Sequence, residues 1–366
     1  MVERLVEQGI IRSVEWRKAF SRVPREHFVP RFYEREGDWG SPTLIDGADP
    51  TQREGWLQLV HDADETMVTQ IDPASGAPTS SSTMPRIVAA MLEALEVAPE
   101  QRVLEIGTGT GYSTALLCER LGSANVTSVD VDAGLVELAR RRLADLGHSP
   151  HVVASDGFQG CPDRAPYDRV IATCQVARLP LPWVRQCCPR GLIVAVLPDC
   201  MIRLTPDGTG GAAGRMHTFP VGFMWMRGHS PTRVSAEELA HLTQDGGEAR
   251  ESRVGVMAVL RGEEIPSLWP VALTTFLPHY VRVPAPRGQI AFTDMTDRSW
   301  VRLRVDGSEV IQGGPRLLWD GIEDLYHLLD QMGRPQRDRF GLTVRPDSSQ
   351  FLWLDSPESE YQWELR

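Results

Sequence analysis

The residues best suited to chemistry in this chain lie in one short run, Val103-Leu104-Glu105-Ile106-Gly107-Thr108-Gly109-Thr110-Gly111-Tyr112. The apolar Val103, Leu104 and Ile106 suit an interior parallel strand. The three glycines that follow let the backbone turn sharply and approach a ligand closely. A helix starting beyond them would turn its free amides toward that ligand. Glu105 would sit at the carboxyl end of the strand, where open α/β sheets bind ligands. Two familiar phosphate-binding patterns do not fit. A dinucleotide loop requires Gly-x-Gly-x-x-Gly, and Tyr112 stands where the third glycine belongs. A Walker-type loop requires a lysine, and the run has none. A tight turn without a ligand is the plain structural alternative.

Glu-x-Gly-x-Gly-x-Gly is the pattern that remains, and it resembles the first motif of S-adenosylmethionine-dependent methyltransferases. Glu105, Gly107, Thr108, Gly109, Gly111 and Tyr112 are then candidate cofactor-binding residues. Asp130 ends the second strand, where an acid can accept hydrogen bonds from both ribose hydroxyls. Asp132 is read instead as the cap of the next helix. Asp156-Gly157-Phe158 follows the third strand; Asp156 could bind the adenine amino group while Phe158 covers the ring, and an Asp-Gly turn with a core aromatic is the alternative. Thr173, Cys174 and Gln175 end the fourth strand, beside the transferable methyl in this architecture. Cys174 has no histidine nearby in sequence to activate it. The run Ser80-Ser81-Ser82-Thr83 completes the set. It could cap the helix that follows, or form with its amides a cup for a carboxylate. Ser81, Ser82 and Thr83 are therefore the candidate catalytic residues.

These residues need elements to hold them. Ile87, Met91 and Leu95 share one helical face, with Thr83 as a plausible N-cap and Pro85 in the first turn. Strands at 102–106, 126–131, 152–154, 168–173 and 192–197 alternate with helices at about 111–121 and 133–146. Such alternation predicts a doubly wound, mostly parallel sheet. Asp207-Gly208 lies between apolar runs at 201–205 and 216–226, which predicts an antiparallel hairpin at the sheet edge. Residues 34–82, rich in Gly, Pro, Asp and Ser, read as a long irregular cover with a short helix or strand near 56–60. Past residue 230 the pattern changes. Val301, Leu303 and Val305 alternate with arginines, a helical stripe runs through 317–332, and 351–354 and 361–363 look like strands. The expected division is an N-terminal cover (1–82), a cofactor-binding core (83–229) and a C-terminal α+β extension (230–366).

Composition limits the partners. With 38 basic and 49 acidic residues the net charge is −11. That argues against a nucleic-acid surface, which needs clustered Lys and Arg. No apolar run is long enough to span a bilayer, and the first residues lack a signal-peptide core, so a cytoplasmic location is expected. The six cysteines form no Cys-x-x-Cys and the nine histidines no His-Glu-x-x-His. No metal site is expected, and the oligomeric state is not readable.

Over roughly residues 10–230 the chain resembles the protein-L-isoaspartate O-methyltransferase family. The marks are Val23-Pro24-Arg25-Glu26-His27-Phe28-Val29-Pro30, the helix from Pro85, the glycine run and Ala165-Pro166-Tyr167-Asp168. The resemblance implies a Rossmann-like class I methyltransferase fold, S-adenosyl-L-methionine as cofactor and a peptide or protein substrate carrying Asp or isoAsp. Repair enzymes of the family carry Ser, then usually Gln or Ala, before the proline; here those places hold Thr83 and Met84. Together with the C-terminal extension, this resembles a subgroup linked to lanthipeptide biosynthesis. Its members methylate an ordinary Asp side chain, leading to aspartimide and isoaspartate, and the extension would then help hold the peptide. Repair of isoaspartyl proteins is the alternative, and a non-catalytic peptide-binding protein the alternative from another class.

Overall fold

The computed structural model describes residues 1–35, 41–74, 76–228, 247–283, 285–307 and 309–365. Four short strands open the chain: β1 (Arg31–Glu34), β2 (Thr43–Asp46), β3 (Met67–Ile71) and β4 (Pro78–Ser82). They pair antiparallel in the order β2-β1-β3-β4. The expected irregular cover is therefore a sheet, with the helix Arg53–Val60 packed beside it. Trp56, inside that helix, is buried, and its indole donates to the Val29 carbonyl at 2.9 Å. The hydroxyl run is a strand as well, so it does not cap the next helix. The helix Pro85–Ala94 has Met84 at its N-cap, with no side-chain cap bond, and Pro85 in its first turn.

The core strands are β5 (Val103–Ile106), β6 (Val126–Asp130), β7 (His151–Ala154), β8 (Tyr167–Gln175), β9 (Cys187–Leu197), β10 (Cys200–Pro206) and β11 (Ala212–Met216). β7, β6, β5, β8 and β9 are parallel neighbours. β5 is buried at all four residues, as a strand covered on both faces must be. The helices Tyr112–Leu121 and Ala133–Asp145 supply the crossovers. The hairpin around Asp207-Gly208 forms, but its second strand lies earlier than expected, at β11 rather than 216–226. Past His217 the chain leaves β11 and the central sheet. It rejoins at Trp225, through a parallel bridge to Gln175 flanked by two backbone bonds of 2.9 Å.

The C-terminal part divides in two. Strands β12 (Glu248–Arg250), β13 (Tyr280–Val283), β14 (Gln289–Asp294), β15 (Trp300–Arg304) and β16 (Val310–Gly313) make a second antiparallel sheet. The helices Val256–Arg261, Leu268–Phe276 and Leu318–Gln331 accompany it. Its core includes Glu323, which is fully buried and held by Arg250 and Arg253. Strands β17 (Phe340–Val344), β18 (Gln350–Leu354) and β19 (Gln362–Glu364) instead add to the central sheet. The seam is β11 against β17, in register from Ala212–Val344 to Arg215–Gly341. The extension is thus not a wholly separate unit. The central sheet has ten strands, and one apolar cluster runs from Leu104 and Val170 to Leu352 and Leu354.

Candidate active site

The carboxyl ends of β5, β6 and β8 open into a cleft. Three walls come from distant parts of the chain: the glycine loop with Asp130, the strand end 79–83, and the segment 223–227. Gly107 has φ +100°, and a Cβ there would stand 2.7 Å from Thr173 Oγ1. Only glycine fits that conformation and space. Thr173 donates to the carbonyls of Ile106 and Gly107 at 3.1 and 2.8 Å, which fixes the loop to the end of β8. Gly107, Thr108, Gly109, Tyr112 and Gly157 line the cleft. Gly111 does not; it serves the loop as the left-handed residue (φ +90°) before the helix Tyr112–Leu121.

Asp130 is the charged centre, 8% exposed. Its Oδ2 accepts from the Gly109 N–H at 2.9 Å. Its Oδ1 accepts from the Asp132 N–H at 3.0 Å and from Arg227 at 2.9 Å. Arg227 also reaches Asp132 Oδ2 at 3.1 Å. Asp132 caps its helix as expected, accepting from the Gly134 and Leu135 amides. Desolvation opposes its charge, but the Leu135 amide, Arg227 and Gln70 together hold its carboxyl below the usual range. Arg227 escaped the sequence reading. No local pattern links it to an acid 97 positions earlier.

Glu105 is placed differently from its expected role. It is fully buried and does not line the cleft. Its carboxylate accepts from Ser113, Thr114 and Ser128 at 2.5, 2.5 and 2.7 Å. It therefore ties the first turn of the helix Tyr112–Leu121 to β5 and β6 and shapes the loop from beneath. Burial pushes its carboxyl up, and the three hydroxyls oppose that shift. Asp156 and Phe158 also stand outside the cleft lining. Asp156 caps the following turn through the Phe158 N–H.

Opposite the glycine loop, Ser81, Ser82 and Thr83 all line the cleft, but they are not equivalent. Side chains alternate along a strand. Ser80 and Ser82 are buried, and Ser81 and Thr83 are half-buried. Ser82 Oγ accepts from Arg25 Nε at 3.3 Å, which assigns it an anchoring part. Arg25 is fully buried. Its guanidinium donates to the carbonyls of Val60, Asp62, Glu65, Ser82 and Thr83 at 2.9–3.3 Å. Burial lowers its pKa to about 10, so it stays charged at neutral pH. This side chain holds the end of β4 against the helix Arg53–Val60. Among the described residues no group of three or more His, Cys, Asp or Glu side chains is placed to hold a metal ion. No described helix is long and apolar enough to cross a membrane. Cys174 lines the cleft, half-buried, and desolvation pushes its thiol up to about 12, which disfavours a thiolate there.

The cleft suits S-adenosylmethionine. A glycine-walled loop, a buried acid at the end of β6 and a donor-rich strand end face one another. Bound there, the cofactor supplies an electrophilic methyl carbon. An acceptor carboxylate, with an ordinary pKa near 3.9, is already ionised at neutral pH, so no general base is required. The chain's own task is to orient the acceptor oxygen and to exclude water.

Known proteins agree with this geometry. The sequence profile of the protein-L-isoaspartate(D-aspartate) O-methyltransferase family matches residues 1–199. A protein-L-isoaspartate O-methyltransferase of Thermococcus onnurineus is 34% identical over 195 residues, 53% of this chain and 74% of its own. That of Gloeobacter violaceus is 38% identical over 218 residues, 58% of this chain and 90% of its own. A solved structure titled protein-L-isoaspartate O-methyltransferase aligns over 97% of this chain and 100% of its own, at TM-score 0.55 and 19% identity. Its coverage includes the C-terminal part. The C-terminal part therefore shares that fold. The glycine loop, the fold and the profile match lead to one conclusion: the chain belongs to the protein-L-isoaspartate O-methyltransferase family and is an S-adenosylmethionine-dependent carboxyl O-methyltransferase.

Proposed function

We propose that this enzyme methylates the free carboxylate of isoaspartyl residues in peptides or proteins, as in repair. The observation that carries this reading is the strand end at 80–83, which presents hydroxyls across the cleft from the glycine loop. The family match and the relatives' names support the same acceptor. A second reading keeps the reaction and changes the acceptor to an ordinary Asp side chain in a lanthipeptide-type peptide, with aspartimide as the later product. Thr83 and Met84, where repair enzymes carry Ser and usually Gln or Ala, favour it. The extra methyl of Thr83 reshapes the acceptor side.

Two synthetic peptides identical except for Asp or isoAsp at one position separate these readings. With labelled cofactor, kcat/KM for the isoAsp form is expected to exceed that for the Asp form by about 100-fold or more. The reverse preference would move the enzyme to the tailoring class. Methylation of neither, by enzyme that binds cofactor, would remove both readings.

Thr83→Ala tests the acceptor side. Thr83 lines the cleft, and its backbone carbonyl stays held by Arg25. Cofactor affinity is expected to hold within about twofold while kcat falls about 30-fold or more. An unchanged kcat would exclude Thr83 from orienting the acceptor.

A further inference from the structure

The third wall of the cleft has a backing that the core alone does not supply. Trp225 lines the cleft and is half-buried. Two residues of the C-terminal part pack on it. His279 stacks on its ring at 6.0 Å with an interplanar angle of 30°, and Tyr280 meets it edge-on at 6.1 Å. Tyr280 also lies close to the side chain of Gln175, the last residue of β8 and two positions beyond Thr173. The extension therefore reaches the carboxyl end of the strand beside which the methyl is transferred. Backbone pairing positions it. Tyr280 begins β13 in register with Asp294, and the His279 carbonyl accepts from the Met295 N–H at 3.1 Å.

One atom in this cluster is unspent. His279 Nδ1 is buried and has no hydrogen-bond partner among the described residues. Such an atom calls for a partner. Burial lowers the His279 pKa, and Asp294 only partly opposes this. The ring is then neutral at physiological pH, and one of its nitrogens is an acceptor. A flat aromatic face lining the cleft suits a peptide segment. An apolar or proline side chain can lie on the indole, which the imidazole backs from outside the cleft.

We propose that Trp225, backed by His279 and Tyr280, forms a wall that receives the peptide residues flanking the acceptor carboxylate, so that the extension makes the enzyme selective for peptides over small acids. This rests on the proposed carboxylate acceptor. A small carboxylic acid would occupy only the strand end and the glycine loop; a longer peptide would extend across Trp225.

The test compares a blocked isoaspartyl dipeptide with a hexapeptide carrying a proline or apolar residue beside the isoAsp. In the full-length enzyme, His279→Ala is expected to raise KM for the hexapeptide about tenfold. For the dipeptide, kcat/KM is expected to change less than about twofold, and cofactor Kd to stay level. His279→Phe, which keeps a ring behind the indole but changes its shape, should fall between. Unchanged hexapeptide KM overturns the wall. So does an equal loss for both acceptors, since that marks a mere deformation of the cleft. If the wild-type enzyme methylates neither acceptor, the acceptor reading fails first and the wall falls with it. If His279→Ala does not fold, His279→Phe alone decides: its hexapeptide KM must rise at unchanged cofactor Kd, or the wall is overturned.

Discussion

Asp130→Ala is expected to weaken S-adenosylmethionine and S-adenosylhomocysteine binding by at least about 100-fold while leaving a folded protein. The reason is the number of contacts that depend on one carboxylate. Asp130 is almost completely buried at the end of β6, in the cleft where the cofactor ribose is expected. Hydrogen bonds to a charged acceptor are worth about 1.5–3 kcal/mol each, and a ribose diol makes two. Losing both corresponds to a factor of at least 100 in affinity. The substitution also frees Arg227, which retains Asp132 at 3.1 Å, so no cation is stranded without a partner. Asp130→Asn should be milder toward the Gly109 amide, because its carbonyl oxygen still accepts there. Calorimetry with S-adenosylhomocysteine reads the effect directly. An affinity within about threefold of wild type would move the sugar site away from Asp130.

The second large effect is structural. Arg25→Met is expected to cost about 3–5 kcal/mol of stability and, in the fraction that folds, most of the turnover. The guanidinium satisfies five carbonyls and one hydroxyl in a fully buried site. A thioether accepts weakly and donates nothing, so those carbonyls would lose their partner inside the protein. Each buried polar group left unmet costs about 1–3 kcal/mol, and relaxation recovers part of the sum. Arg25→Lys keeps the charge but has three donors on one nitrogen against the five of a planar fork. It should recover less than half of the loss. The turnover defect has a separate origin: Arg25 fixes Ser82 and Thr83, the acceptor side of the cleft. Urea unfolding combined with kcat on folded protein separates the two. A Met variant as stable as wild type would show that the helix Arg53–Val60 holds the strand end without Arg25.

Both residues could be seen in the sequence, but only one could be interpreted there. Asp130 is legible because it ends an apolar strand at a fixed distance from a glycine loop, and both signals are local. The parallel strands were legible for the same reason, since burial on two faces writes a continuous apolar run such as Ile193 to Leu197. Arg25 stood in the sequence as one residue of Val-Pro-Arg-Glu-His-Phe-Val-Pro. Nothing local shows that it is buried, because its partners lie 35 to 58 positions away. The small sheet of β1 to β4 was missed on similar grounds. Pro78-Thr79-Ser80-Ser81-Ser82 has little apolar alternation and becomes a strand only by pairing with Met67–Ile71. Glu105 was placed beside the ligand because it precedes the glycines. The three hydroxyls that take up its carboxylate come from two other elements. Arg227 and the β11–β17 pairing belong to the same class, long-range partners that no window of sequence contains.

That pairing decides how the catalytic half can be handled. A chain stopped after residue 228 would keep every cleft residue named above yet leave Ala212–Met216 with bare amides and carbonyls along its outer side. Unpaired strand edges recruit other chains. The trimmed protein would be prone to clump through that flank, and the lost mass would not have been spare. A family member that ends near this point must blunt the same flank by other means, with charge, a proline or a covering loop. The added C-terminal strands are thus a seal as well as an appendage.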